Sequence, residues 1–398
     1  MSARLAALFF GLAASVPLSA QTTWTVDRLN RAGTDFLDLQ PAVDAAASGD
    51  VIRVRAAGAP IAFGPSYLAP VIDGKSLTIL GEGSDDGPLS TWMRGLLWVR
   101  NLRPAEVVRV ADVVIWQVAG AIGPPGSGMR LEANQGTVLL ERTRIEAIGT
   151  APSPVIESCA LVILRNVRYL AKPAGLAVLR SNAVLQSCQF DSVTVGAFLQ
   201  GPFGAIDSRL WVHHTTVIAG NAPSATVTGM PGISAAGSEI FLGPGTHLQG
   251  GTGPGGRNSA VQASLTQEGR YVTVHVDPGV TWLGTIEGDL DFGPVTTLRA
   301  TTTATTLTLD HSCTPQALVL LTAGPLLATP WNAPEGLLAI DPLPDFACVA
   351  FAPSSGQLQW TFPMPPGLPV DFVIGLQGGE LRPNGTVRLT DVVTVSGS

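Results

Sequence analysis

An eight-residue apolar pattern recurs six times in the middle of the chain, and it limits the possible folds more than any other feature. The last residues of successive copies lie 30, 24, 21, 27 and 31 positions apart. Coils of a parallel β-helix joined by loops of variable length have such spacing, whereas the blades of a propeller repeat more evenly. The copies are residues 108–115, 138–145, 162–169, 183–190, 210–217 and 241–248.

Within each copy, the first, third, sixth and eighth residues are predicted to point inward, with a bend at the fourth and fifth. Equivalent residues of successive coils would then stack at about 4.8 Å per coil and bury a continuous core. Polar or turn-forming residues occupy the bend in five of the six copies. These bend pairs are Glu141 and Arg142, Arg165 and Asn166, Gln186 and Ser187, His213 and His214, and Pro244 and Gly245.

The second position of the pattern should point outward, yet five of its six residues are apolar. Such a stripe, about 20 Å long, is not expected to stay in water. We expect another part of the chain to cover it, because a parallel sheet usually hides both faces. If the stripe is bare, Trp211 is the expected anchor of a binding surface. The six residues are Arg109, Leu139, Ile163, Val184, Trp211 and Leu242.

A short helix and two strands are predicted ahead of the repeat. The helix carries Leu39, Val43 and Ala46 on one face. In order, the elements are the helix 36–47, the turn 48–50 and the strands 51–54 and 75–81. This opening resembles that of bacterial pectin-lyase-like β-helix proteins. The resemblance implies a right-handed parallel β-helix whose N-terminal helix caps the first coil and hides its strand edges.

The N-terminus has the pattern of a secretory signal peptide. Arg4 precedes an apolar stretch that runs to Val16, and the small residues Ser19 and Ala20 follow. We therefore expect cleavage near Ala20 and a secreted, cell-surface or periplasmic protein. The sequence predicts a signal peptide over 1–20, a capped β-helix over 21–294 and a C-terminal β-domain over 295–398.

The C-terminal region has a different spacing of apolar residues from the repeat. A threonine-rich run over 296–308 leads into short apolar runs separated by proline-rich turns. This pattern predicts a small β-sandwich, so the whole chain is expected to be all-β. The region resembles the terminal modules of many exported bacterial repeat proteins. Its apolar runs are 318–321, 337–340 and 372–374.

Composition excludes two classes of partner. The formal net charge is −7, and Lys75 and Lys172 are the only lysines, so the clustered cations that nucleic-acid binding needs are missing. No segment after the signal offers about 18 uninterrupted apolar residues, so no membrane span is predicted. The oligomeric state stays open.

Four cysteines allow two disulfides in an exported protein. A bond between Cys313 and Cys348 is predicted, because both lie in the proposed terminal domain near strand ends. Cys159 and Cys188 could form a second bond, or Cys188 could be a buried free thiol at an inward position. The spacing of the cysteines does not suggest zinc, and no metal site is predicted.

The best catalytic candidates lie on the outward face of the second half of the pattern. Arg144 and Arg168 occupy one column there, and Glu146 and Asp191 occupy the next, with Leu170 between the two acids. Two coils separate the acids by about 9–10 Å, the upper end of the range for an inverting glycosidase. A solvated face on which the arginines pair with the acids explains these residues more simply.

Two functions therefore remain open. The first is a non-enzymatic surface-structural protein or a binder of extracellular polysaccharide or cell-surface matrix, with no cofactor. The second is a polysaccharide lyase or glycosidase whose site lies in the long loops. Resemblance to β-helix lyases implies calcium as a cofactor in that case, but the aspartate clusters of those enzymes are absent from the repeat columns.

Overall fold

The structure is a computed structural model. It describes residues 21–57, 66–84, 90–118, 128–148, 154–171, 176–192, 203–219, 230–253, 255–264, 269–303, 305–324, 326–333, 336–340, 346–364 and 373–396. The predicted signal peptide, residues 1–20, lies outside these ranges. The contact pattern separates two compact units, one over Thr22–Phe292 and one that contains Gly293–Ser398.

The first unit contains one helix and thirty strands within the described residues. The helix is α1 (Leu39–Ala45). The strands of the first half are β1 (Thr23–Val26), β2 (Val51–Val54), β3 (Tyr67–Leu68), β4 (Val71–Asp73), β5 (Leu77–Leu80), β6 (Thr91–Arg94), β7 (Leu97–Arg100), β8 (Val107–Ala111), β9 (Val113–Val118), β10 (Met129–Glu132), β11 (Thr137–Glu141), β12 (Arg144–Ile148), β13 (Val155–Glu157), β14 (Leu161–Arg165) and β15 (Arg168–Ala171). Those of the second half are β16 (Leu176–Leu179), β17 (Asn182–Gln186), β18 (Gln189–Ser192), β19 (Phe203–Ile206), β20 (Arg209–His213), β21 (Thr216–Ile218), β22 (Ile233–Ala236), β23 (Glu239–Leu242), β24 (His247–Gln249), β25 (Thr252–Gly253), β26 (Gly256–Arg257), β27 (Val261–Ser264), β28 (Thr273–Val276), β29 (Thr281–Leu283) and β30 (Asp289–Phe292).

Three long parallel sheets wind around one core. Sheet A has the order β1-β2-β5-β8-β11-β14-β17-β20-β23-β28-β30, sheet B the order β29-β24-β21-β18-β15-β12-β9-β6-β3, and sheet C the order β27-β22-β19-β16-β13-β10-β7-β4. A full coil in the middle of the unit passes from sheet C through sheet A to sheet B, and the next coil begins again in sheet C. The predicted parallel β-helix is confirmed.

The repeat pattern gives the columns of the core. Val138 on β11 pairs with Val108 on β8 and Val162 on β14, and Ile145 on β12 pairs with Ile115 and Tyr169. All of these side chains are buried, as the period-two alternation of a strand with one face in the core requires. Each coil therefore extends the same apolar stack rather than building a core of its own.

The bend between sheets A and B shares one backbone feature in the six copies of the repeat. Its fifth pattern residue has a positive φ in all six copies, between 44° for Arg142 and 71° for Gly245. The sixth residue of each copy then points inward, and these residues stack at the corner. There, the Thr215 hydroxyl accepts a hydrogen bond from the Cys188 backbone N–H and donates one to the His213 carbonyl. These corners satisfy backbone groups that the turn removes from the sheets.

The sixth copy differs from the prediction by one residue. Ile240, rather than Phe241, pairs with the inward Leu210, and Phe241 pairs with the outward Trp211. Leu248 still pairs with Val217, so the bend of this coil contains one extra residue. The outward column of sheet A thus continues from Trp211 to Phe241 and not to Leu242.

Helix α1 lies over the first coil and contacts β1, β2, β3 and β4. Asp38 begins it by accepting the backbone N–H of Leu39, and Leu39 and Val43 are buried on its inner face. Behind it, the Asp50 carboxylate accepts the Thr22 and Ala47 amides and the indole N–H of Trp24. The predicted cap is therefore present, although the helix is shorter than predicted at both ends.

The second unit is antiparallel. Its strands are β31 (Thr297–Thr302), β32 (Thr306–Ser312), β33 (Leu318–Gly324), β34 (Leu326–Ala333), β35 (Gly336–Ile340), β36 (Phe346–Phe351), β37 (Gln357–Pro363), β38 (Val373–Leu381) and β39 (Val387–Ser396). Sheet D has the order β31-β32-β37, sheet E has the order β36-β33-β38-β39, and β34 pairs with β35. Leu309 of sheet D and Leu321 and Val393 of sheet E share one core, as in the predicted sandwich.

The predicted disulfides are wrong, because all four cysteines are free thiols. Cys159 follows β13 at the corner between sheets C and A, whereas Cys188 lies between β17 and β18 at the corner between sheets A and B. In the second unit, Cys313 packs in a small cluster with Ala317, and Cys348 packs against the main core from β36. The two members of each predicted pair thus occupy different packing environments, and a disulfide requires adjacent Cβ atoms.

No helix among the described residues is long and apolar enough to cross a membrane.

Candidate functional site

The acids predicted from the sequence share a column of sheet B. Glu146 on β12 lies beside Leu170, and Leu170 lies beside Asp191 on β18. Asp191 accepts a hydrogen bond of 2.5 Å from the Gln189 side chain, two residues earlier on its own strand. With Leu170 between them, the two carboxylates sit about 9–10 Å apart by coil spacing, each beside a polar neighbour on its own strand.

Arg144 is not on a solvated face, which corrects the interpretation from sequence. Its side chain is buried, its Nε lies 3.0 Å from Glu146 Oε1, and its guanidinium lies 5.1 Å from the centre of the Trp92 ring. Trp116 meets Trp92 edge to face at 6.5 Å. Arg168 pairs with Arg144 in register but is exposed. Arg144 is therefore a buried cation packed against the Trp92 ring and the Glu146 carboxylate, where desolvation strengthens the cation–π interaction.

The predicted stripe on the outward face of sheet A is buried from Arg109 to Trp211, as expected. Arg109 is the one polar residue of the stripe, and its Nε lies 2.6 Å from Glu141 Oε2. Arg165 forms an ion pair with the same carboxylate. Burial lowers the pKa of both arginines to about 10, so both stay protonated near neutral pH. The Glu141 carboxylate thus provides a negative partner for two guanidiniums that would otherwise be buried without one.

Trp211 is 2% exposed and belongs to a stack of rings on the same face. Its ring lies parallel to Phe241 at 5.1 Å, and Phe241 lies parallel to His275 at 4.5 Å. The His275 imidazole lies between two acids, with Nδ1 2.9 Å from Asp291 and Nε2 3.3 Å from Glu239. The structure thus places Trp211 inside a ladder that joins the last coils, away from solvent.

A group of side chains on sheet C, not predicted from the sequence, is at least partly exposed instead. Leu97, Val99, Met129 and Leu131 alternate with its members and point into the core. The alternation sends the intervening side chains outward. We call these the Trp98 cluster, and it consists of Asp73 on β4, Trp98 and Arg100 on β7, and Arg130 and Glu132 on β10.

The register of three adjacent strands brings the Trp98 cluster together. Trp98 pairs with Arg130, and Arg100 pairs with both Asp73 and Glu132. The Trp98 indole donates to Glu132 Oε1 at 2.9 Å, and the guanidinium of Arg100 lies 4.3 Å from the centre of the ring. Arg130 lies 5.9 Å from the ring and donates to the other Glu132 oxygen, while Arg100 donates to Asp73 at 2.9 Å. Hydrogen bonds and ring contacts therefore fix all five side chains.

The Trp98 cluster is electrically balanced and open to water. Two carboxylates face two guanidiniums, and the side chains of the four charged residues are 21–46% exposed. The fixed indole offers an apolar surface, the guanidiniums offer spare N–H donors and the carboxylates offer acceptors. Such a surface can bind a neutral ligand that has both C–H faces and hydroxyl groups.

Two signals in the sequence point to the Trp98 cluster. The spacing Trp98-x-Arg100 and the spacing Arg130-x-Glu132 each place two large polar or aromatic side chains on one face of a strand. Three of the eight tryptophans of the chain fall between residues 92 and 116. The members of the Trp98 cluster come together only through the register of β4, β7 and β10, which the sequence alone does not supply.

No group of three or more histidine, cysteine, aspartate or glutamate side chains within the described ranges could hold a metal ion. The enzymatic alternative was expected in long loops, and residues 119–127, 149–153, 193–202 and 220–229 lie outside the described residues. A scan against models of known protein families finds no family that matches this chain, and a search of curated proteins finds no relative.

Proposed function

We propose that this protein is exported and binds a neutral extracellular polysaccharide on the outward face of sheet C, without transforming it. The observation that carries the proposal is Trp98, whose ring is fixed by Glu132 and Arg100 and is still partly exposed. Fixing an aromatic side chain before a ligand arrives lowers the entropy cost of binding. The signal-like N-terminus and the pectin-lyase-like opening of the sequence support export and an encounter with polysaccharide.

The polar groups of sheet C continue along the axis of the β-helix. Arg100 lies beside Asp73 and Glu132 on the neighbouring coils. Glu132 lies beside Glu157 on the next coil and binds Arg130, two residues earlier on its own strand. Successive coils are about 4.8 Å apart, so a linear polymer aligned with the axis would meet a charged group on each of four successive coils, from Asp73 to Glu157. This regularity favours a polymer over a single small molecule.

The charge balance of the Trp98 cluster favours a neutral ligand over an acidic one. Each guanidinium already has a carboxylate partner, Asp73 for Arg100 and Glu132 for Arg130. An acidic polymer would have to displace these partners, whereas hydroxyl groups can add to the spare donors and acceptors. Binding should therefore depend little on ionic strength.

We expect the Trp98→Ala variant to lose affinity for the polysaccharide by at least about tenfold, because burial of an aromatic side chain contributes roughly 1.5–3 kcal/mol. Affinity electrophoresis through gels that contain neutral or uronate polysaccharides measures the loss. Trp282→Ala is the matched control, since Trp282 is another exposed indole of the β-helix and lies far along the axis on β29. Its migration should match that of the unchanged protein.

Equal retardation of the Trp98→Ala variant and the unchanged protein would contradict the site. Retardation that disappears in high salt and occurs only with uronate polymers would contradict the neutral ligand. Release of reducing ends or unsaturated products from the bound polymer would replace the proposal with an enzymatic function.

A further inference from the structure

One face of sheet E in the second unit is apolar and exposed. Leu318 pairs with Phe351 on one side and with Leu381 on the other, and Leu381 pairs with Val387. In the neighbouring row, Leu320 pairs with Val349. Five of these side chains are more than one-third exposed: Leu320, Val349, Phe351, Leu381 and Val387. Exposed apolar residues that lie side by side across four strands are unusual on the surface of a protein that functions alone.

The apolar face is formed by residues within the strands of sheet E. Alternate residues of the same strands, such as Leu321 and Cys348, point to the opposite side and pack in the core between sheets D and E. Ile340 of β35 packs near Gly375 at the other end of sheet E, where a Cβ on Gly375 would lie 2.6 Å from it. One end of the outward face is thus covered by the β34–β35 hairpin, and no described residue covers the end that contains Val349 and Phe351.

Strand β36 forms the edge of this face. Among the strands that the structure describes, it pairs only with β33. Its sequence, Phe-Ala-Cys-Val-Ala-Phe, contains no charge and no proline, and its outward residues Val349 and Phe351 are 59% and 73% exposed. Natural sheets protect an edge with lysine, proline or a bulge, because unpaired backbone groups recruit another strand. β36 has none of these protections.

We propose that β36 pairs in antiparallel fashion with β36 of a second copy of this chain. The two four-stranded sheets would then form one continuous sheet of eight strands across a two-fold axis. Antiparallel pairing of a strand with its own copy is self-complementary, so it closes at two copies. The absence of charge along β36 removes the repulsion that two acidic chains would otherwise meet at this edge. Val349 and Phe351 of the two copies would meet across the junction and leave water.

Sedimentation velocity over protein concentrations of about 1–100 µM tests the pairing, since this range covers weak as well as stable dimers. The unchanged protein should shift from monomer to dimer as its concentration rises. Val349→Lys and Phe351→Lys should each shift the midpoint at least about tenfold upward in concentration, because lysine on an edge strand opposes pairing. Both positions are exposed, and circular dichroism verifies that the variants keep their β structure.

Leu37→Lys is the matched control, because Leu37 is a similarly exposed leucine on the β-helix. It should leave the dimer unchanged. A protein that stays monomeric over the whole range, or a dimer that survives both lysine substitutions, overturns the proposal. A monomer that instead floats with phosphatidylcholine vesicles would assign the apolar face to lipid and would also overturn it.

Discussion

At the scale of single residues, His311 is the clearest buried titratable group. It lies on the inward side of β32, and its ring fills the space next to Gly378, where a Cβ would come within 2.5 Å of it. Trp360 lies 5.6 Å away on β37, and neither imidazole nitrogen has a hydrogen-bond partner in the described part of the chain. Burial lowers the pKa of His311 to about 4, against the opposing pull of Glu380 and Asp391.

This shift makes the stability of the protein depend on pH. The unfolded histidine binds a proton below about pH 6.5, whereas folded His311 does not until about pH 4, so stability falls as the pH drops through this window. Between pH 7 and pH 5, where the lowered pKa of Glu380 keeps that carboxylate ionised, we expect His311 to remove about 2 kcal/mol of unfolding free energy. Urea unfolding at several pH values measures the decline.

The His311→Gln variant is the control for this decline, because glutamine does not titrate. The other histidines remain in both proteins, so the difference between the two pH profiles isolates His311. If the unfolding free energies of the two proteins change in parallel from pH 7 to pH 5, the pKa of His311 is not lowered in the folded protein.

At the scale of elements, the bend between sheets A and B determines where each coil turns. Asp112, Arg142, Asn166, Ser187 and His214 all have a φ between 44° and 59° there, and only the last copy uses glycine. A residue with a Cβ pays roughly 1 kcal/mol for this left-handed conformation, and glycine does not. The β-helix therefore carries a small strain at most of its coils.

We expect Ser187→Gly to raise the unfolding free energy by about 0.5–1 kcal/mol, because glycine adopts the bend conformation without strain. Ser234→Gly is the matched control. Ser234 lies inside strand β22, where glycine should lower the free energy by about as much. The midpoints of urea unfolding distinguish the two variants, and destabilisation by both would contradict the role of the bend.

The repeat could be predicted from sequence because core columns impose the same apolar spacing on every coil. Val108, Val138 and Val162 align for this reason. The pattern failed at Phe241, because an extra residue in the bend lets Ile240 fill the inward column, and either apolar side chain fits the pattern. The Trp98 cluster escaped prediction because β4, β7 and β10 lie in sheet C, where no repeat was recognised.

At the scale of the whole molecule, no disulfide joins distant parts of the chain. Burial raises the pKa of the Cys159, Cys188 and Cys313 thiols, in the last two to about 12. Thiols react as thiolates, so these three are protected by burial and by their protonation. Cys348 is only half-buried.

We therefore expect iodoacetamide to label at most Cys348 in the folded protein, and all four cysteines after unfolding without a reducing agent. Mass spectrometry of the intact protein counts the labels. The Cys348→Ser variant should take none while folded. A pair of cysteines that accepts label only after reduction would contradict the free thiols, and dithiothreitol would then lower the unfolding temperature, which we expect it to leave unchanged.

The covered first coil has a consequence for how the chain acquires its structure. Helix α1 and Asp50 close the end of the β-helix that is synthesised first. Every later coil then pairs with the coil before it, as Val138 does with Val108 thirty residues earlier. A coil thus finds its template already in place when it is made. The β-helix can grow in one direction during translation, one coil at a time, without waiting for any segment that has yet to emerge.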